Sequence, residues 1–398
     1  MPSDTLRPLS ALLLCTALIT ACSDGRDDSA AAPAYPNDQE LRLNQIQIMG
    51  THNSYHPGLP QEPMATVIRE QYAFYPGLVG DYRHRPLYEQ LDELGVRHLE
   101  LDVNADPEGG NFSDQPLRAT VGADTATGIP ELSQPGIKVF HVPQIDAEST
   151  CYLFTECLKQ IKQWSDENPG HVPLIVMIEI KDIDFFQTAA YLPLMAWQLE
   201  DYDRLDEEIR SVFPPSQLIT PDDVRGDYAT LEQAVLEAGW PTLADSRGRI
   251  MFTMCNCFGE DRRRIDYEIG HPNLEDRVLF PHSAPGNPDA AVISREEAET
   301  DLEEIQRLAR LGYLVRTRAD ANTREALENN TRRRDAAFES GGHYISTDFP
   351  EPSETAHPDY FVQVPNGTPA GCNPVTAPDW CRPEDIENPE RLKRGDYR

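Results

Sequence analysis

In the stretch Arg97-His98-Leu99-Glu100-Leu101-Asp102-Val103 the side chains alternate in character. On a strand, Leu99, Leu101 and Val103 share one face, while Glu100 and Asp102 share the other. The apolar face suits burial beneath helices. Two carboxylates on the opposite face cannot both be buried without a partner. A bound cation would answer both. A strand that packs under helices on one side and carries charge on the other fits the wall of an α/β barrel, where chemistry sits at the strand ends.

Three further runs have the same form: apolar and strand-like, then polar at the end. They are Ile48-Met49-Gly50-Thr51-His52-Asn53, Val139-Phe140-His141 and Met177-Ile178-Glu179-Ile180-Lys181. His52 is in phase with Ile48 and Gly50, and His141 with Ile137 and Val139. Glu179 and Lys181 share a face opposite Ile178 and Ile180. Strand signals recur near 43–50, 97–103, 137–142, 172–180, 249–254, 277–281, 313–317 and 343–348. Helical periods lie between them, as in Phe154, Leu158 and Ile161, or Ala298, Leu302, Ile305 and Ala309. Residues 86–94 and 323–339 read as further helices, ended by Gly95 and Gly341.

This alternation predicts an α/β fold, a (β/α)₈ TIM-type barrel over 41–350. A doubly wound open sheet is the competitor, but no Gly-x-Gly-x-x-Gly follows the first strand. Residues 104–136 lack periodicity and are rich in Gly, Pro and Asp, which predicts a loop insertion over the site. Residues 351–398 predict an irregular, disulfide-containing C-terminal extension.

The chain has 398 residues, with 39% hydrophobic residues and 34 Pro, which suits a loop-rich globular protein. Its net charge of −32 argues against nucleic acid as a partner and favours divalent cations. A monomer is expected. Near the N-terminus, Arg7 precedes an apolar run from Ala11 to Ile19, the length of a signal-peptide core and too short to span a bilayer. Ile19-Thr20-Ala21-Cys22 resembles a bacterial lipobox. It implies a lipoprotein signal over 1–21, a lipid anchor on Cys22 and a tether over 22–40. The chain is then exported, and either held to a bacterial membrane or secreted. Of the eight Cys, six remain after Cys15 and Cys22. An exported chain with an even count predicts disulfides. Cys151–Cys157 and Cys372–Cys381 are the local pairs, with Cys255–Cys257 a tighter third. A zinc site is the alternative, without a Cys-x-x-Cys spacing to support it.

Asn53, Glu100, Asp102 and Glu179 are all oxygen donors, the set preferred by Ca²⁺ or Mg²⁺. Neither His52 nor His141 is then needed as a ligand, and both are free for proton transfer. Such a site suits displacement at phosphorus. Arg316 and Arg318 share a strand face and could neutralise a phosphate, or pair with Asp320 or Asp348. Tyr344, Ser346 and Asp348 alternate on the last strand and could meet substrate hydroxyls.

These blocks together resemble the calcium-dependent phosphatidylinositol-specific phospholipase C family of bacterial type. The likeness runs through Met49-Gly50-Thr51-His52-Asn53-Ser54-Tyr55, Arg97 to Val103, Val139 to His141 and Ile178-Glu179-Ile180-Lys181-Asp182. Gly312 to Asp320 and Ile345-Ser346-Thr347-Asp348-Phe349 look like its C-terminal blocks. The resemblance implies cleavage of an inositol phosphodiester by attack of the 2-hydroxyl, giving cyclic inositol phosphate and diacylglycerol. It implies His52 and His141 as the catalytic pair, and Asn53, Glu100, Asp102 and Glu179 as Ca²⁺ ligands, with Glu100 as well able as His52 to deprotonate the 2-hydroxyl. Lys181 and Arg316 would contact phosphate or inositol. Two rivals stand beside it. A glycerophosphodiester phosphodiesterase would use water as nucleophile and usually begins with His-Arg-Gly, where this chain has His52-Asn53-Ser54. An inactive surface barrel that binds inositol sugars or a partner would not need the intact His and carboxylate set.

Overall fold

The computed structural model describes residues 35–73, 81–143, 145–182, 196–255 and 262–388. Among them are eleven strands: β1 (Ile46–Thr51), β2 (His98–Asn104), β3 (Lys138–Val139), β4 (Leu174–Ile180), β5 (Leu218–Ile219), β6 (Ile250–Met254), β7 (Leu279–Pro281), β8 (Val292–Glu297), β9 (Leu314–Arg318), β10 (Tyr344–Thr347) and β11 (Ala370–Cys372). Nine of these run parallel: eight in the order β8-β9-β10-β1-β2-β4-β6-β7, with the short β5 beside the start of β6. A parallel bridge between His282 and Val292 links β7 to β8 and closes the ring. The expected TIM-type barrel is therefore present.

The membership of the ring differs from the sequence expectation in one exchange. Residues 137–142 do not form a barrel strand. Lys138 and Val139 form its strand, and they run antiparallel to β2 at Asn104 and Val103. The missing eighth member is β8. It begins as a short apolar run, Ala291-Val292-Ile293, and ends in Arg295-Glu296-Glu297, which mimics the acidic first turn of the following helix Ala298–Leu311.

Helices cover the outside. In Phe154–Glu167 the buried Phe154, Leu158, Ile161 and Trp164 lie at helical spacing. The 323–339 segment is two helices, Arg324–Glu328 and Arg332–Glu339. Asn329 breaks them apart in the left-handed region at φ 51°. On β2, Leu99, Leu101 and Val103 join the core under the helices as expected.

β1 and β2 are in register at Gly50 and His98. Further down, β11 takes the edge of β1, pairing antiparallel with Ile46 to Ile48. The disulfides Cys151–Cys157 and Cys372–Cys381 are both formed. Cys255 is disulfide-bonded, and Cys257 lies outside the described residues. The signal and most of the tether also lie outside them. Residues 35–40 pack on the barrel instead of hanging free: Tyr35 is buried, Arg247 stacks 3.8 Å from its ring centroid, and the same guanidinium pairs with Asp38 at 2.6 Å. No helix among the described residues is long and apolar enough to cross a membrane.

The tail beyond 350 is tied down by a buried charge. Glu387 accepts from Arg97 Nε at 2.8 Å and from the Val172 backbone N–H at 2.8 Å, and Arg97 stacks over Trp164. Removing one partner of a buried pair strands the other. Glu387→Ala should therefore cost about 3–5 kcal/mol, read as a drop in the urea midpoint. A midpoint unchanged from wild type would show that the tail does not hold the barrel.

Candidate active site and cation cradle

The C-terminal ends of the parallel strands gather the charged residues on one rim, as the barrel requires. Glu100 and Asp102 come from β2 and Glu179 from β4. Asp102 and Glu179 are directly cross-strand neighbours. One carboxylate oxygen from each of the three lies within 4.8 Å of the others. All three side chains are buried. His52 and Asn53 follow β1 immediately, and Asn53 adopts the left-handed conformation at φ 47° that turns the chain over the rim. Its Nδ2 donates to the Tyr82 hydroxyl at 2.8 Å, which leaves the amide oxygen for a cation.

The cluster is electrostatically demanding. Burial pushes the Glu100 carboxyl up to about 8, even with Arg316 beside it, and the neighbouring Asp102 and Glu179 add to the rise. Burial also raises Asp102, against the pull of Lys181. Lys181 Nζ stands 2.7 Å from Asp102 Oδ2 and donates to Glu179 Oε1. Burial works against the Glu179 carboxylate, but Lys181 together with His141 and His52 makes the net shift downward. Asp102 Oδ2 is held by Lys181 alone and Oδ1 has no well-formed hydrogen bond, a costly condition for a buried carboxylate. An all-oxygen donor set, closely spaced and under-satisfied, fits a hard divalent cation. Because a cation takes the ionised form, its uptake must displace the Glu100 proton. Ca²⁺ affinity should rise as pH climbs towards 8, with proton release near pH 7. Calorimetry in buffers of different ionisation heat reads this directly. Proton-free binding across that range would place Glu100 outside the cradle.

Two imidazoles flank the triad, each only partly covered. His52 is 19% exposed and His141 14%, against 7% or less for the three carboxylates. His52 Nδ1 lies 2.8 Å from Asp348 Oδ1, and its Nε2 is 3.6 Å from Glu100 Oε1. Burial, then Arg318, pulls His52 down to about 4 against the opposing effect of Asp348. It is therefore neutral at pH 7. His141 Nδ1 lies 2.8 Å from Asp146 Oδ2. His141 does not end a barrel strand. It lies beyond β3, in the excursion between β2 and β4, and Asp146 reaches it across a tight turn bridged by Val142 and Asp146.

The remaining residues expected to meet substrate have partners within the protein. Arg316 is buried and donates to Glu100 Oε2 at 2.9 Å, to Ser346 Oγ at 3.2 Å and to Glu296. Ser346 Oγ also lies 3.2 Å from His98 Nε2, deep in the barrel. Asp348 holds His52, with Arg318 3.5 Å away on its other oxygen. Lys181 sits inside the acidic cluster. Sequence reasoning did not find Asp146, His56, Tyr82 or Glu296. His56 follows directly on the Thr51-His52-Asn53-Ser54-Tyr55 block, and its place there was the available signal. Asp146 and Glu296 sit in stretches with no motif.

A parallel α/β barrel whose rim sets a three-carboxylate cradle between two carboxylate-braced histidines has the makings of a cation-assisted enzyme acting on phosphodiester bonds. The family model for Ca²⁺-dependent phosphoinositide phospholipase C matches residues 41–374, and the chain belongs to that family. Among solved structures, it resembles a calcium-dependent phosphoinositol-specific phospholipase C from the Gram-negative Pseudomonas sp. Identity is 16% over 86% of this chain and 99% of the other, with a TM-score of 0.50. A myoinositol complex of that Pseudomonas enzyme matches with the same identity and TM-score over 85% and 99%. A Ca²⁺-dependent phosphatidylinositol-specific phospholipase C from Streptomyces antibioticus is 20% identical over 78% of this chain and 95% of its own, with a TM-score of 0.49. At these identities the likeness concerns the fold. A search of curated proteins finds no match.

Proposed function

We propose that this enzyme cleaves the inositol phosphodiester of phosphatidylinositol, releasing diacylglycerol and leaving a cyclic inositol phosphate. The observation that carries this reading is the pair of histidines. Each is held through Nδ1 by a carboxylate, with the cation cradle between them. Asn53, Glu100, Asp102 and Glu179 would hold Ca²⁺, which when bound lowers the charge barrier to attack at phosphorus. His52, neutral and oriented by Asp348, takes the proton of the inositol 2-hydroxyl as its oxygen bonds to phosphorus. His141 gives a proton to the diacylglycerol oxygen as the P–O bond breaks. Lys181 neutralises phosphate charge at the rim. Arg316 and Ser346 brace Glu100, in keeping with their depth in the barrel.

The same reading has the chain exported and attached to a membrane through a lipid on Cys22, close to its lipid substrate and acting as a monomer. The Cys151–Cys157 and Cys372–Cys381 disulfides suit an oxidising compartment. Phosphorus NMR of the products from a soluble inositol phosphodiester tests the chemistry. Cyclic phosphate as the first product is expected. Direct formation of an acyclic monoester would mean that water, and not a substrate hydroxyl, is the nucleophile.

A further inference from the structure

Asp146 is shared by two imidazoles. Its Oδ2 is 2.8 Å from His141 Nδ1, and its Oδ1 is 2.8 Å from His56 Nε2. Asp146 and His56 are both fully enclosed. Burial disfavours the Asp146 carboxylate, but the two imidazoles more than compensate and hold it ionised. An ionised carboxylate can only accept hydrogen bonds, so each ring must present an N–H to it. For His141 this fixes a hydrogen on Nδ1 and leaves Nε2 to carry the proton that the ring gives up in the reaction.

The supports of this arrangement are rigid. Val142 and Asp146 exchange backbone hydrogen bonds of 2.9 Å. His56 stacks on Tyr82 with ring centroids 4.6 Å apart, and its backbone N–H donates to the Asn53 carbonyl at 2.9 Å. The other titratable groups near His56 and Asp146 are Tyr55, Tyr82, His84 and Asp348. The two candidate catalytic histidines are thus braced alike. Asp348 has Arg318 on its far oxygen, and Asp146 has His56.

We propose that Asp146 is the positioning residue for His141, and that His56 anchors Asp146. The segment after β1 thereby sets the orientation of an imidazole delivered by the excursion between β2 and β4. The proposal rests on the functional reading above for the role of His141, but its geometry can be read without turnover.

Nitrogen NMR of the metal-free protein reports which His141 nitrogen carries hydrogen. Wild type should show hydrogen on Nδ1, in the Nδ1–H form or with both nitrogens protonated. Asp146→Asn should lose that bias. In Ca²⁺-saturated enzyme it should also lower kcat by about 10²-fold or more, with KM changed less than about threefold. His56→Ala should lose part of the rate. His56→Gln, whose amide nitrogen can still donate to Asp146, should recover most of it. A wild-type His141 in the Nε2–H form overturns the proposal, as does a folded Asp146→Asn with normal kcat. His56→Gln as impaired as His56→Ala removes His56 from it. Should Asp146→Asn not fold, the wild-type spectrum and the His56 pair decide. Should the wild-type protein turn over no phosphoinositide, the functional reading fails while the spectrum still decides the positioning.

Discussion

Replacing either His52 or His141 by alanine should lower turnover by about 10²–10⁴-fold while the protein stays folded. Both effects follow from the surroundings. Each ring is partly exposed at the rim, so its loss opens little of the core. Each also leaves behind a carboxylate that keeps a second partner, Arg318 beside Asp348 and His56 beside Asp146. No buried charge is stranded, which is the usual route to a large loss of stability. The rate loss reflects proton transfers that no neighbouring group replaces. Glu100 Oε1 is the nearest carboxylate oxygen to His52 Nε2 and is committed to the cradle. Steady-state kinetics with a thermal melt of each variant checks this. Near-normal turnover in either variant would remove that histidine from the chemistry.

Gly50→Ala should weaken the fold and the site together. At this point β2 meets β1, and a Cβ on residue 50 would lie 2.3 Å from the His98 carbonyl oxygen and 2.4 Å from its Cβ. The obstruction includes backbone, so no side-chain rotation relieves it. Overpacking costs about 1–3 kcal/mol where neighbours can give, and here the loss should reach or exceed the top of that range. The two strands would have to part. His52 and Asn53, two and three residues further along the chain, would then shift from Glu100 and Asp102. Urea unfolding and Ca²⁺ affinity should fall together. Wild-type stability in this variant would mean that β1 and β2 do not pack as described.

The barrel and the cradle were legible from the chain because strand alternation is a strong signal. Glu100 and Asp102 between Leu99, Leu101 and Val103 gave phase, burial and partner at once. Where the signal was mixed, the reading went astray. Ile137-Lys138-Val139-Phe140 looks like a barrel strand because its apolar residues are buried, but they are buried beneath the insertion, against β2. β8 was hidden because its site-facing end is charged: Glu296 is there to meet Arg316, and that charge mimics a helix start. Asp146 could not be found from spacing, since it meets His141 through a local turn that carries no motif and His56 only through the folded barrel. Arg316 and Ser346 were in the right phase, but phase does not tell depth. The structure puts both beneath the carboxylates.

The protein is read here as a Ca²⁺-dependent phosphodiesterase specific for inositol lipid. It is tested most directly by turnover of phosphatidylinositol vesicles across a Ca²⁺ titration, with a glycerophosphodiester assayed in parallel. Expected are no turnover in chelator, a saturable rise with added Ca²⁺, cyclic inositol phosphate as product and an intact glycerophosphodiester. Turnover indifferent to Ca²⁺, or faster hydrolysis of the glycerophosphodiester, would contradict it.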